Sequence, residues 1–266
     1  SAGMMRKLLT LFALVLAPAL SAAQEQAPVI QQETLEIGTS TNEIAITSDF
    51  SGADLTVFGA INDADPILLS KGGYDIVVIL EGPKAEADVR RKERVFGIWI
   101  NRQTISFEHV PRSYSISSTR PLEDVTSPQE LNSGGIGVTH LRISPVGYFG
   151  DASDVATFRQ AMLRLNAADG LYDTEDDGVK FVSNSLFRAS LRLPVNIPEG
   201  THTVQAYLFK EGRQISTQNL PLNVVKTGLE AQLTAAAHEY PLFYGLGAVA
   251  IALFSGWFAS VIFRKS

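Results

Sequence analysis

The sequence predicts a mainly β fold: a sandwich ectodomain with a helical insertion, then one membrane-crossing helix at the C-terminus. Three observations predict it. Short segments from Leu35 to Ile116, and again from Leu186 to Val225, alternate apolar and polar residues and are broken by Gly, Pro, Asn and Asp, as half-buried strands do. Between them, Val155, Phe158, Met162 and Leu165 follow the spacing of one helix face. Pro241 to Phe263 carries no charge; at 1.5 Å per residue it extends roughly 35 Å, enough to cross a ~30 Å hydrocarbon core with some tilt.

The chain opens on a targeting pattern. Arg6 and Lys7 precede an apolar run from Leu8 to Leu20, and Ser21-Ala22-Ala23 places small residues before Gln24. These are the parts of a secretory signal peptide over residues 1–23, with Met4 or Met5 as its start and Ser1-Ala2-Gly3 as a tag remnant or upstream extension. An uncleaved N-terminal anchor is the alternative, and Pro18 interrupts it. Gln24 to Gln32 reads as a polar leader.

Strands follow. Leu35 and Ile37 share one face, as do Ile44 and Ile46. Ser51-Gly52 turns the chain into a strand with Leu55, Val57, Gly59 and Ile61 inward and Thr56 and Phe58 outward. Tyr74 to Leu80 is apolar apart from Asp75 and suits a central strand buried on both faces. Phe96 to Ile100 reads as another buried run, with Phe96 and Trp99 in the core; a ligand platform is the alternative for that pair. Ile105, Phe107 and His109 alternate, then Tyr114 and Ile116. The insertion spans about 121–176: Ser127-Pro128 starts one helix and Gly134-Gly135 ends it, while Asp151 or Ser153 caps a longer one that Gly170 stops. A separate small domain is the alternative for this stretch. Pro198-Glu199-Gly200 then turns into a strand with His202, Val204, Ala206 and Leu208 on one face. Glu211-Gly212 closes a hairpin with Ile215 to Val225. These last strands resemble the closing strands of immunoglobulin-like sandwiches, with His202 where an aromatic often stands.

Charge narrows the function classes. The net charge is −6, and between the end segments 18 basic residues face 27 acidic ones. An acidic ectodomain argues against nucleic acid and against docking on anionic lipid headgroups. No cysteine is present, which excludes disulfides, thiolate metal sites and thiol chemistry. No cofactor is expected. By the positive-inside rule Arg264 and Lys265 stay cytoplasmic. In a Gram-negative host residues 24–226 are then periplasmic, 227–240 form a juxtamembrane helix with Leu229, Leu233, Ala236 and Tyr240 on one side, and 241–263 span the inner membrane once.

Four candidate sites follow. Arg90, Arg91, Lys92 and Arg94 form the only basic cluster; it reads either as an anion contact, since guanidinium forks grip carboxylate, sulfate or phosphate, or as a charged loop that keeps a sheet edge soluble. Asp173, Glu175 and Asp177 before Gly178 place oxygens at alternate positions like the start of a calcium loop, yet Asn184 stands where a bidentate Glu is wanted; a solvated acidic turn is the other reading. His109, His140, His202 and His238 are scattered without zinc spacing. Within the span, Ala248, Ala252, Gly256 and Ser260 make a small-residue stripe, flanked by Gly245, Ser255 and Ala259. Such stripes let helices approach closely. Tyr240, Tyr244 and Trp257 suit the membrane interfaces. No hydrolase, metalloprotease, phosphate-loop or dinucleotide motif is present.

The signal segment, Arg91-Lys92-Glu93-Arg94 leading into Gly97-Ile98-Trp99-Ile100-Asn101, the Phe158 to Leu171 helix and turn, and the C-terminal span together resemble a family of alphaproteobacterial single-span transmembrane proteins. The resemblance implies a periplasmic domain plus an anchor and assigns no activity. It also implies an accessory role like that of proteins found beside sulfite-exporter-type permeases. The expected function is therefore a non-enzymatic accessory or scaffold protein that docks an integral membrane partner through its span, with the lipid bilayer as its surroundings. The alternative is a periplasmic solute- or ion-binding module using the basic patch or acidic turn. A membrane-tethered hydrolase would need a polar pocket assembled in space.

Overall fold

The computed structural model describes residues 33–147, 150–228, 234 and 237–263. The expected signal segment and leader, Leu229, Leu233 and Ala236 of the expected juxtamembrane helix, and Arg264 and Lys265 lie outside the described residues.

The mainly β sandwich expected from the sequence forms from two sheets. One runs in the order β1 (Thr34–Thr39), β3 (Ala53–Asn62), β11 (Leu186–Leu193), β10 (Val179–Phe181), all antiparallel. The other runs β2 (Glu43–Ile46), β13 (Arg213–Lys226), β12 (Gly200–Lys210), β4 (Tyr74–Glu81), β7 (Tyr114–Ser118), β9 (Tyr172–Glu175). Its two edge strands, β2 and β9, join in parallel. Between the sheets Leu55 and Val57 meet Ile76, Val78, Val204, Ala206 and Leu191 in one buried core. The period of two along each strand puts these residues on the inner faces.

Strand β4 explains why the six-stranded sheet needs cover on both sides. Its even positions face the inter-sheet core, while Val77 and Ile79 enter a second cluster with Ile116, Phe209, Val125, Leu131 and Ile136. The last three come from helix α2 (Leu122–Val125), helix α3 (Pro128–Gly134) and the turn after it; a one-turn helix α1 (Pro66–Ser70) precedes β4. Ser127 caps α3 by accepting from the Glu130 N–H, and Gly135 ends it at φ 67°, a left-handed position that suits glycine. Asp75, buried within β4, accepts from Arg120 Nε at 2.8 Å and from Thr119 Oγ1 at 2.9 Å. That pairing is what a buried carboxylate requires.

A third sheet stands apart: β5 (Lys84–Val95), β6 (Ile98–Pro111) and the short β8 (Ser144–Val146). Helix α4 (Ala152–Ala168), capped by Asp151 onto the Ser153 N–H, packs against it. Phe158 and Met162 meet Val89, Ile105 and Phe107 in a third cluster. Leu165, expected on that face, is 55% exposed, and Leu163 is packed inward instead. The reason is that α4 serves two clusters, so its buried face turns toward Leu163. A last helix, α5 (Pro241–Phe263), is uncharged throughout.

Candidate membrane-facing site

Helix α5 supplies 23 residues without an acid or a base. Residues 241–260 are all exposed to the surroundings, and the helix is long and apolar enough to cross a membrane. At 100° per residue Gly245, Ala248, Ala252, Ser255, Gly256, Ala259 and Ser260 fall on one side. The opposite side carries Phe254, stacked on Phe258 at 6.2 Å and tilted against Trp257 at 6.0 Å. A Cβ added at Gly245 or Gly256 would meet nothing within 4 Å.

The basic cluster lies on a strand, not in a loop. Arg90, Arg91, Lys92 and Arg94 belong to β5 and pair across to β6, with Arg94 opposite Trp99 and Glu93 opposite Ile100. The expected buried run from Phe96 to Ile100 is corrected as well. Phe96 at φ 50° and Gly97 at φ 86°, the first two residues of that run, form a two-residue turn. Both central residues are left-handed, as a type I′ hairpin requires. The chain therefore doubles back at the start of the apolar run, which becomes the tip of a long hairpin. Phe96 is 101% exposed, Ile98 68% and Trp99 65%. Neither Trp99 nor Phe96 is core.

Helix α4 grips the hairpin at mid-length. The Arg91 guanidinium sits 4.9 Å over the Phe158 ring and 3.7 Å from Asp154, which also accepts from Gln103 Nε2 at 3.2 Å. Beyond that point Arg102 pairs with Glu93 at 3.3 Å, and Arg94 Nε donates to the Gly97 carbonyl. The exposed aromatic tip was the feature sequence reasoning missed. A bulky residue followed by Gly between two alternating segments, Val95-Phe96-Gly97-Ile98, was the signal for it.

The remaining candidates resolve as follows. Asp173 and Glu175 lie in β9, hydrogen-bonded beside β7, and Asp177 sits in the turn to β10 at φ 67°, ion-paired with Lys180. They form a strand edge and a turn, not a calcium loop. Among the described residues no group of three or more His, Asp or Glu could hold a metal. His109 sits at φ 59°, where Glu108 and His109 together face Glu86, so a bulge turns it outward. His140 Nδ1 bonds Asn132 at 2.7 Å, and His238 Nδ1 bonds the Thr234 carbonyl at 2.9 Å. His202 is fully buried; its Nδ1 faces the Gly200 carbonyl and its Nε2 the Ser113 hydroxyl, each at 3.2 Å. Burial holds its pKa below the ordinary value, with the Gly200 contact opposing. Ser113 is buried too, so this serine–histidine contact has no route to substrate. Tyr172, whose hydroxyl donates to the Pro111 carbonyl at 2.6 Å, is pushed up to about 12 by burial. An open cleft of about 740 Å³ is lined by Asp54, Asp169, Asp173, Arg192 and Asn196 among others.

A folded β-sandwich joined to a helix of this length and composition defines a membrane-anchored protein. The chain belongs to the family described as "Putative transmembrane protein (Alph_Pro_TM)", whose model matches residues 34–265. No curated protein matches. Among solved structures the chain is similar to AggA, the major subunit of aggregative adherence fimbriae type I from Escherichia coli, at 13% identity and a TM-score of 0.24, covering 72% of this chain and 94% of that one. It is also similar to the N-terminal domain of the Streptococcus gordonii adhesin Sgo0707, at 8% identity and a TM-score of 0.24, covering 74% of this chain and 33% of that one. A family 123 glycoside hydrolase from Clostridium perfringens shows the same degree of likeness, at 8% identity and a TM-score of 0.22, covering 73% and 27%.

Proposed function

We propose that this protein is a non-enzymatic accessory or scaffold subunit. Its sandwich stands on the periplasmic side of a bacterial inner membrane, and α5 docks a polytopic membrane partner. The observation that carries this reading is the small-residue side of α5, which no described atom of its own chain covers. In lipid there is no hydrophobic drive between helices, so pairing depends on close packing and small residues permit it. An anchor that only tethered would have no use for a sided helix with aromatics opposite.

The test is co-purification in mild detergent from native membranes. Ala252→Leu together with Gly256→Leu should abolish recovery of a stoichiometric integral membrane protein, while Phe254→Leu on the opposite side should keep it. Because a side chain at Gly256 meets nothing in this chain, the loss would report a partner and not a misfolded subunit. Unchanged recovery with the double variant overturns the reading.

A further inference from the structure

Helix docking leaves the distal half of the β5–β6 hairpin without a role. From the Arg91 contact with α4, the strand runs five more residues to Phe96, about 17 Å at 3.4 Å per residue. Over this length the usual division into a buried and a wet face breaks down. Trp99 lies on one face with Arg94 and Lys92; Val95, Ile98 and Ile100 lie on the other; Phe96 forms the apex. Four large apolar side chains within five consecutive residues are exposed, Ile100 being the least so at 43%. Behind them stand the cations. From Asp88 to Thr104 there are five basic residues and two acids, a net +3 on a chain whose total is −6; Arg90, Arg91 and Arg102 pair with Asp88, Asp154 and Glu93, and Lys92 and Arg94 stand nearest the tip.

We propose that this tip docks on the anionic lipid surface of the membrane that α5 crosses. Phe96, Ile98 and Trp99 enter the headgroup layer, while Lys92 and Arg94 lie against lipid phosphates. Three features select lipid over a protein surface. The tip is convex and exposes apolar side chains on both faces, Trp99 on one and Ile98 and Ile100 on the other, so a protein would have to wrap a groove around it; a fluid layer closes around any convex shape. Aromatic side chains backed by cations are the composition that partitions at the membrane interface. The charge distribution allows one orientation only: anionic lipid repels the acidic body and attracts the basic hairpin. The tether makes a single hairpin sufficient. Fourteen residues separate Lys226 from Pro241 and reach at most about 50 Å. The sandwich thus stays at high effective concentration beside the bilayer, and weak contacts suffice.

The experiment uses the full chain carrying Trp257→Phe, which leaves Trp99 as the sole tryptophan. It is reconstituted into vesicles of phosphatidylcholine alone or with phosphatidylglycerol. With phosphatidylglycerol, Trp99 emission should shift to the blue, resist acrylamide, and be quenched by lipids brominated high on the acyl chain; in neutral vesicles it should behave as water-exposed. Each cation near an anionic surface contributes about 1 kcal/mol, so Lys92→Gln with Arg94→Gln should lower the docked-to-undocked ratio about 30-fold. Phe96→Ser should abolish the bromolipid quenching. Trp99 that stays open to acrylamide in anionic vesicles overturns the proposal. So does shielding without bromolipid quenching, which marks contact with a second copy or another protein. Retention of the chain through an alkaline wash reports α5 separately, so failure of the anchor and failure of the hairpin are distinguishable.

Discussion

His202 sits where the closing strands of a sandwich ordinarily want an aromatic, and it behaves as an apolar residue with two polar obligations. Gly200 accepts from Nδ1–H and the Ser113 hydroxyl donates to Nε2, so the neutral ring is fully satisfied. Among the described residues a proton added to this ring has no carboxylate hydrogen-bonded to it, and burial depresses its pKa. In the unfolded chain the same ring titrates near 6.5. As pH falls through that value the unfolded state takes up the proton first. Stability is therefore full above about pH 6.5 and falls below it. We expect the melting temperature of the full chain in detergent to drop between pH 7 and pH 5. The double variant His202→Leu, Ser113→Ala, which removes both partners together, should flatten that slope. An equal slope in wild type and double variant would mean other groups govern the acid limb.

Elements are held in register by equally local facts. In the β3–β11 pair Gly59 lies opposite Phe187, and a Cβ at Gly59 would fall 2.3 Å from the Phe187 ring and 2.7 Å from the Glu36 carbonyl. The ring, fully buried, occupies the volume a side chain would have taken. Gly59→Ala should destabilise the fold by about 1–3 kcal/mol through overpacking, read as a lower urea midpoint by circular dichroism. Adding Phe187→Leu should cost less in that background than in wild type, because the two sites share one space. The sequence made Gly59 legible as an inward position, since strand alternation counts it with Leu55, Val57 and Ile61. It did not reveal the ring, because cross-strand partners depend on a pairing with a strand more than a hundred residues away. The hairpin tip was misread for a related reason. Phe96 to Ile100 has the composition of a buried strand, and only the left-handed Phe96-Gly97 pair shows that the chain reverses there. Helix α4 was placed correctly from its spacing, but its inner face was set by two clusters at once, and so Leu163 displaced Leu165. The acidic stretch from Asp173 looked like a loop because carboxylates are scarce in strands; its pairing with β7 through backbone groups needs no help from side chains.

At the scale of the whole molecule, every functional statement turns on which side of the bilayer the sandwich occupies. Lipid forbids unpaired backbone polar groups, and an uncharged helix of 23 residues meets that condition by itself. Arg264 and Lys265 follow it directly, and the topology we propose rests on the tendency of cations flanking a span to stay on the cytoplasmic side. On the proposed topology an acidic, cysteine-free sandwich outside that membrane must hold its fold by packing alone, through the three buried clusters among the described residues. The absence of cysteine also makes the topology directly measurable, because a single introduced thiol has no background. Ser51→Cys, at an exposed turn of the sandwich, should react with a membrane-impermeant maleimide on intact cells whose outer membrane has been opened. Ser266→Cys should react only after the inner membrane is lysed. The reverse labelling would place the hairpin and its cations on the cytoplasmic leaflet, and the accessory role on the periplasmic side would be lost with it.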